Sequence, residues 1–208
     1  MRDKFVRLGK FFVKEANVCI GQKTGRKIKD LNLVIGDHAF IRRGTVIYLG
    51  SRIGDNFETG HNAVIREENV IGNDFSIWNN SVVDYGCNIG NGVKIHSNCY
   101  IAQFTVIEDG VFIAPGVSFA NDMHPGCNYF RKCMKGPHIC KGAILGVNVT
   151  VLPYVTIGAK AFIGAGSVVT KDIPPRALAY GNPARVIKDI GRLVCTKGFT
   201  DKPYSEEK

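Results

Sequence analysis

The sequence predicts an all-β solenoid, a column of short strands coiled eighteen residues to the turn, and three observations carry that expectation. An aliphatic residue stands at every sixth position through Ile35, Ile41, Ile47, Ile53, Ile65, Ile71, Ile77, Val83, Ile89, Ile95, Ile101, Ile107 and Ile113 to Phe119, and only Thr59 departs. Glycine follows every third member, at Gly36, Gly54, Gly72 and Gly90, and the polar residues Asp37, Asp55, Asn73, Asn91 and Asp109 keep the same spacing. A period of six matches neither an amphipathic helix nor a simple strand, so a repeating coil must generate it.

Residues 1–30 read as an irregular N-terminal cap, because the stretch Gln22–Asp30 between Ile20-Gly21 and Ile35 is basic and polar. The wall occupies 31–174, with six residues to each side of a prism. A Gly-Asp or Gly-Asn pair once per coil marks one corner, and Asn62, Asn80 and Asn98 form another ladder at the same spacing, since these residues tolerate the backbone of tight turns. Small residues precede the aliphatics by two, at Ala39, Thr45, Ser51, Ala63, Ser81, Cys87, Cys99 and Thr105. Phe57 and Phe75 break that rule but are themselves one coil apart, so they are expected to stack. At roughly 4.8 Å per coil, residues 35–119 make a column on the order of 25 Å long.

After Phe119 the beat is lost, then recovered at Ile139, Leu145, Val151, Ile157, Ile163 and Val169. The intervening stretch, 120–138, is rich in Asn, Asp, His, Pro and Cys, the composition of a loop leaving the wall. Pro174-Pro175 end the second series. The remainder, 175–208, reads as a helix and tail, with Asn182 capping a helix over 184–193 and Pro183 in its first turn.

A chain of 208 residues with 45% hydrophobic content fits one domain. No segment is apolar enough to span a membrane, and Arg2, Lys4, Arg7, Lys10 and Lys14 interrupt any signal-peptide run, so no membrane partner and a cytoplasmic location are expected. Seven scattered cysteines read as reduced thiols. The net charge of +9 comes without a nucleic-acid motif, which points to small polyanions rather than nucleic acid.

Two stretches carry a family resemblance that covers nearly the whole chain: the Ile-Gly hexads, and the ending Ile163-Gly164-Ala165-Gly166-Ser167-Val168-Val169-Thr170-Lys171-Asp172-Ile173-Pro174 with Gly181-Asn182-Pro183-Ala184-Arg185. Together with the loop, they resemble the hexapeptide-repeat acyltransferases. The resemblance implies a left-handed parallel β-helix, a homotrimer, and acyl transfer from acetyl-CoA to a small-molecule acceptor at clefts between subunits, with no metal required. Acyl transfer to an amine or hydroxyl calls for a base, and histidine suits that role. His124, in Asn121-Asp122-Met123-His124-Pro125, resembles the general base of the family's sugar acetyltransferases, with Asn121 or Asp122 orienting its ring. His96 and Asn98 are acceptor-site candidates, although Asn98 also belongs to the structural ladder. Contacts to the cofactor carry over to Val147, Ala165, Thr170, Lys171, Arg185 and Lys188, with the three cations placed for nucleotide phosphates.

The acceptor branch closest in pattern is N-acetylation of a nucleotide-linked amino sugar for surface polysaccharide biosynthesis; O-acetylation of a sugar or small alcohol is the alternative. Arg131, Lys132 and Lys135 can meet a diphosphate or simply face solvent. Cys127, Cys133, His138 and Cys140 permit a zinc site at a spacing unlike the usual fingers, with free loop thiols as the plainer reading. A carbonic anhydrase of γ type needs a histidine pair five apart, and Phe119 and Tyr129 stand there instead. A non-catalytic scaffold is disfavoured by the intact terminal signature.

Overall fold

A computed structural model describes residues 4–204, which build a left-handed parallel β-helix. Its first coil lays down β1 (Val6–Leu8), β2 (Val13–Lys14) and β3 (Cys19–Gln22), and each later coil adds one strand above each of these. Three parallel sheets result, here S1, S2 and S3, and eight coils contribute to every one of them. Successive partners are eighteen residues apart on the regular wall, as where Val70 faces Arg52 on one side and Asn88 on the other.

The inward series forms the core. Ile65, Ile77, Ile95, Ile101 and Ile113 are wholly buried, while backbone groups pair up and down the column, as Trp78 N–H does to Ile95 O at 2.9 Å. A single coil could bury neither its aliphatics nor its amides, so stability comes from stacking. Phe57 and Phe75 stack as expected, at 5.7 Å between nearly parallel rings. Thr59, the polar exception in the wall, is satisfied internally: its hydroxyl accepts from Arg42 N–H at 3.0 Å and pairs with the Thr45 hydroxyl at 3.2 Å.

Two corners of the prism are built by the polar ladders. Between S1 and S2, each Asp or Asn caps the amide one coil below: Asp55 Oδ1 accepts from Asp37 N–H, Asn73 from Asp55, Asn91 from Asn73 and Asp109 from Asn91, at 2.7 to 2.9 Å. The preceding glycine makes room, since a Cβ on Gly72 would sit 2.9 Å from both Asn91 N and Gly90 C. Between S2 and S3, Asn62, Asn80 and Asn98 adopt left-handed backbone with φ of 57°, 58° and 60°, a conformation asparagine accepts more readily than most residues. Both interruptions of the hexad beat leave the wall at the third corner, between S3 and S1.

Two expectations are corrected. Residues 1–30 are not an irregular cap: 6–22 form a complete coil, with Leu8, Lys14 and Ile20 in register beneath Ile35, Ile41 and Ile47. The coil hides from pattern reading because it is the open end of the column, where Lys14 tolerates an inward register. Nor do 184–193 form a helix. The strand Ala177–Gly181 continues S2 and turns through Asn182-Pro183 into the antiparallel strand Ala184–Asp189; helix is confined to a 3-10 turn at Ile190–Arg192. The hairpin satisfies the free edge of S2 above Phe162–Ile163, and the β-branched pair Val186-Ile187 favours the extended form.

Candidate functional site

At the S3/S1 corner the loop of residues 23–32 rises from the first coil and the excursion 121–137 departs from the sixth. Between them runs a continuous chain of polar side chains. Glu67, wholly buried, accepts from Thr24 Oγ1 at 2.9 Å, from Arg26 at 3.0 Å and from Arg66 at 2.9 Å. Arg66 lies 3.5 Å from Asp84, which in turn accepts from the Tyr100 hydroxyl at 2.8 Å and from the Gln103 amide. The Gln103 carbonyl then accepts from Asn121 Nδ2 at 2.6 Å.

Burial works against charge on Glu67, yet the donors from Arg66, its own backbone, Thr24 and Arg26 prevail and hold its carboxyl at about 2. Burial, then the hydrogen bond to Asp84 and its charge, pushes the Tyr100 phenol upward. Tyr100 thus stays a hydrogen-bond donor. Of these residues only Asn121 was expected from motifs. Their signal was nevertheless present, for Glu67, Tyr85, Gln103 and Asn121 are spaced eighteen apart, and Arg66 and Asp84 place charge directly after a wall aliphatic.

The excursion begins at Asn121, pinned as described. Asp122 Oδ1 accepts from the His124 backbone N–H at 2.9 Å, closing an Asx turn that presents an exposed His124. The sequence had suggested that Asn121 or Asp122 holds the imidazole; instead Asp122 fixes the His124 backbone and Asn121 anchors the start of the turn to Gln103. Beyond a short helix at Phe130–Cys133, the Tyr154 hydroxyl ties the loop back to the wall by donating to Cys133 O at 2.6 Å.

His96 and Asn98 lie elsewhere, at the S2/S3 corner. The His96 ring packs 4.9 Å from Phe112 and Asn98 is exposed in its ladder, so on one chain the breadth of S3 separates them from His124. The proposed cofactor residues divide the same way. Val147 and Ala165 stack one coil apart at the S2/S3 corner, where the Gly166 amide donates to Val147 O at 2.8 Å, and the hairpin tip bearing Arg185 sits beside them through Gly181 N–H to Ser167 Oγ at 3.1 Å. Lys188 is farther along the hairpin, opposite Leu178. Thr170 and Lys171 follow the last strand of S3 and belong to the S3/S1 corner, with His124.

The two loops meet over a cleft of about 560 Å³ lined by Arg26 and Lys27 from one, Phe130, Arg131 and Met134 from the other, and Tyr85 and Phe104 from the wall between. Arg26 lies flat on Tyr85, 3.5 Å from the ring centre, and Tyr85 meets Phe104 edge to face. Cations beside aromatic faces make a surface for planar and anionic groups.

Residues 86–121, including Gln103 and Asn121, match the family model described as bacterial transferase hexapeptide (six repeats). Over that stretch the chain resembles the hexapeptide repeat of bacterial transferases. The chain is 43% identical over 95 residues to galactoside O-acetyltransferase of Escherichia coli (strain K12), a match covering 43% of this chain and 47% of that one. A Staphylococcus aureus (strain COL) protein named as an acetyltransferase is 50% identical over 68 residues, 32% of this chain and 34% of that one. The chain therefore spans about a third to a half of the curated relatives it matches. Among solved structures, the polySia-specific acetyltransferase NeuO superposes with a TM-score of 0.51 over 90% of this chain and 81% of that one, at 20% identity, a likeness of fold.

Proposed function

We propose that this chain is an acetyl-CoA-dependent acetyltransferase acting on an amino sugar carried by a nucleotide, of the kind used in surface polysaccharide assembly. The observation that carries the reading is the convergence of both loops on one corner, which carries both the exposed His124, at the end of a pinned turn, and a basic, aromatic cleft. In that role His124 takes a proton from the acceptor amine as it attacks, the ammonium having already lost its first proton to solvent. The nitrogen adds to the thioester carbonyl, the tetrahedral adduct expels the CoA thiolate, and the proton held on the imidazole returns to the leaving sulfur. The nucleotide diphosphate is placed against Lys27 and Arg131, with its base on Tyr85 or Phe104.

The donor is placed along Val147 and Ala165, with Arg185 and Lys188 toward its phosphates. Because these sit at the S2/S3 corner and Thr170, Lys171 and His124 at the S3/S1 corner, one complete site requires the two corners of neighbouring copies. Closed rings join unlike surfaces of the same chain in this way, which favours a homotrimer. His96 and Asn98 then reach the acceptor from the neighbour. The identity with galactoside O-acetyltransferase favours a second reading, O-acetylation of a sugar. Among the described residues no helix is long and apolar enough to cross a membrane.

Titration with acetyl-CoA, followed by CoA-release assays against nucleotide amino sugars and simple sugars, tests the proposal. Turnover confined to the nucleotide-linked amines supports the first reading and turnover of free sugars the second; absence of acetyl-CoA binding contradicts both.

A further inference from the structure

Outside that corner, the outer face of S1 brings together three metal-ligating side chains of different chemistry. The excursion loop leaves after the sixth coil and rejoins at the seventh, where strand His138–Ile139 pairs in parallel with Val106–Ile107. That register sets Glu108 beside Cys140, with His138 two residues earlier on the same face. Glu108 Oε1 is 2.8 Å from His138 Nε2, Cys140 Sγ is 4.0 Å from that nitrogen, and ligand atoms of all three lie within 4.8 Å of one another.

We propose that Glu108, His138 and Cys140 bind zinc, clamping the coil before the excursion to the coil after it. An ordinary ion pair accounts for Glu108 and His138 but leaves the convergence of Cys140 unused. An oxygen, a nitrogen and a sulfur donor together fit a borderline-soft cation held by three protein ligands, whereas magnesium and calcium call for oxygen alone. The supports are rigid: Glu108 N–H donates to Ile139 O at 2.8 Å and Cys140 N–H to Ile157 O at 2.9 Å. Lys141 N–H donates to Glu108 Oε2 at 2.8 Å, occupying that oxygen and leaving Oε1, which faces His138 Nε2, as the ligand atom. Glu108 and Cys140 also open onto a cleft of about 570 Å³ shared with Thr156 and Asp172, which provides an entry path and a fourth position for water. Binding releases the Cys140 thiol proton to solvent as the thiolate forms. The set differs from the one the loop spacing allowed, since Cys127 and Cys133 do not join it.

The test uses the chelator-stripped full chain, with cobalt(II) as a spectroscopic probe and zinc(II) in competition. Expected are one cobalt per chain, a thiolate-to-cobalt charge-transfer band, its loss in Cys140→Ser, and zinc binding weakened at least about tenfold in Cys140→Ser and Glu108→Gln. A Cys127→Ser/Cys133→Ser variant keeps both band and affinity. The Glu108→Gln change is nearly isosteric and guards against misfolding, with acetyl-CoA binding measured alongside. Substoichiometric metal on the wild-type chain, a band that survives Cys140→Ser, or zinc affinity unchanged in Glu108→Gln overturns the site.

Discussion

Asn121 Nδ2 donates to Gln103 Oε1 at 2.6 Å across one coil, which fastens the first residue of the excursion to the wall. Three residues later the same turn presents His124, held by Asp122 through its backbone rather than its ring. The wall therefore aims His124, the proposed base, through a peptide turn, and the anchor of that turn is Gln103 backed by Asp84.

Replacing Gln103 with methionine keeps the volume but removes both hydrogen bonds. Loosening an anchor worth about 1–2 kcal/mol is expected to lower kcat by roughly tenfold, with little change in the KM for acetyl-CoA. Steady-state kinetics beside a thermal melt checks this, and a fall in Tm without loss of kcat contradicts the positioning role.

Glu67 makes stability depend on acid. Its folded pKa of about 2 lies below its ordinary 4.5, so its contribution is fully present above the ordinary value and is lost as pH falls toward 2. By linkage this is on the order of 3 kcal/mol. Denaturant unfolding from pH 6 down to pH 2 should show a steep acid limb that Glu67→Gln flattens while lowering stability at pH 6. An unchanged limb in the variant contradicts the assignment.

At the S1/S2 corner, Gly72→Ala pushes a methyl against Asn91 N and Gly90 C, each 2.9 Å away, and should cost roughly 1–3 kcal/mol. Gly92 has nothing within 4 Å of an added Cβ, only a left-handed φ of 64°, so Gly92→Ala should cost about 1 kcal/mol. Chemical denaturation of the pair checks the order, and equal losses contradict the close approach of coils.

Charge at the cleft is open to the same kind of test. Lys27→Glu and Arg131→Glu are expected to raise the KM for a nucleotide-linked acceptor about tenfold each, while the KM for acetyl-CoA stays put. Equal effects on both substrates contradict the placement of the acceptor there.

The hexad beat was legible because burial is periodic: every inward aliphatic, the Gly-Asp and Asn ladders and the Phe57–Phe75 stack follow from one coil repeating. The first coil escaped notice because at an open end Lys14 takes an inward register without penalty. A helix was expected after Pro183 because Asn-Pro is a good helix start, but the same pair also makes turns, and the demand of a sheet edge for partners decided for a strand. The excursion stood out by breaking the beat, and so did His124. Missing were Glu67, Asp84 and Gln103, whose importance comes from meeting Arg26, Tyr100 and Asn121 at long range, which no local pattern displays. The division of the cofactor residues between two corners was equally hidden, since linear spacing does not say on which side of the prism a residue falls.

The most direct measurement is the rate of acetyl transfer by His124→Ala under saturating acetyl-CoA. Removing a positioned general base typically costs between about a hundredfold and ten-thousandfold, and because His124 is exposed the melt should not move. The account predicts a loss in that range in kcat, with acetyl-CoA affinity and Tm retained. Wild-type turnover by the variant would contradict it.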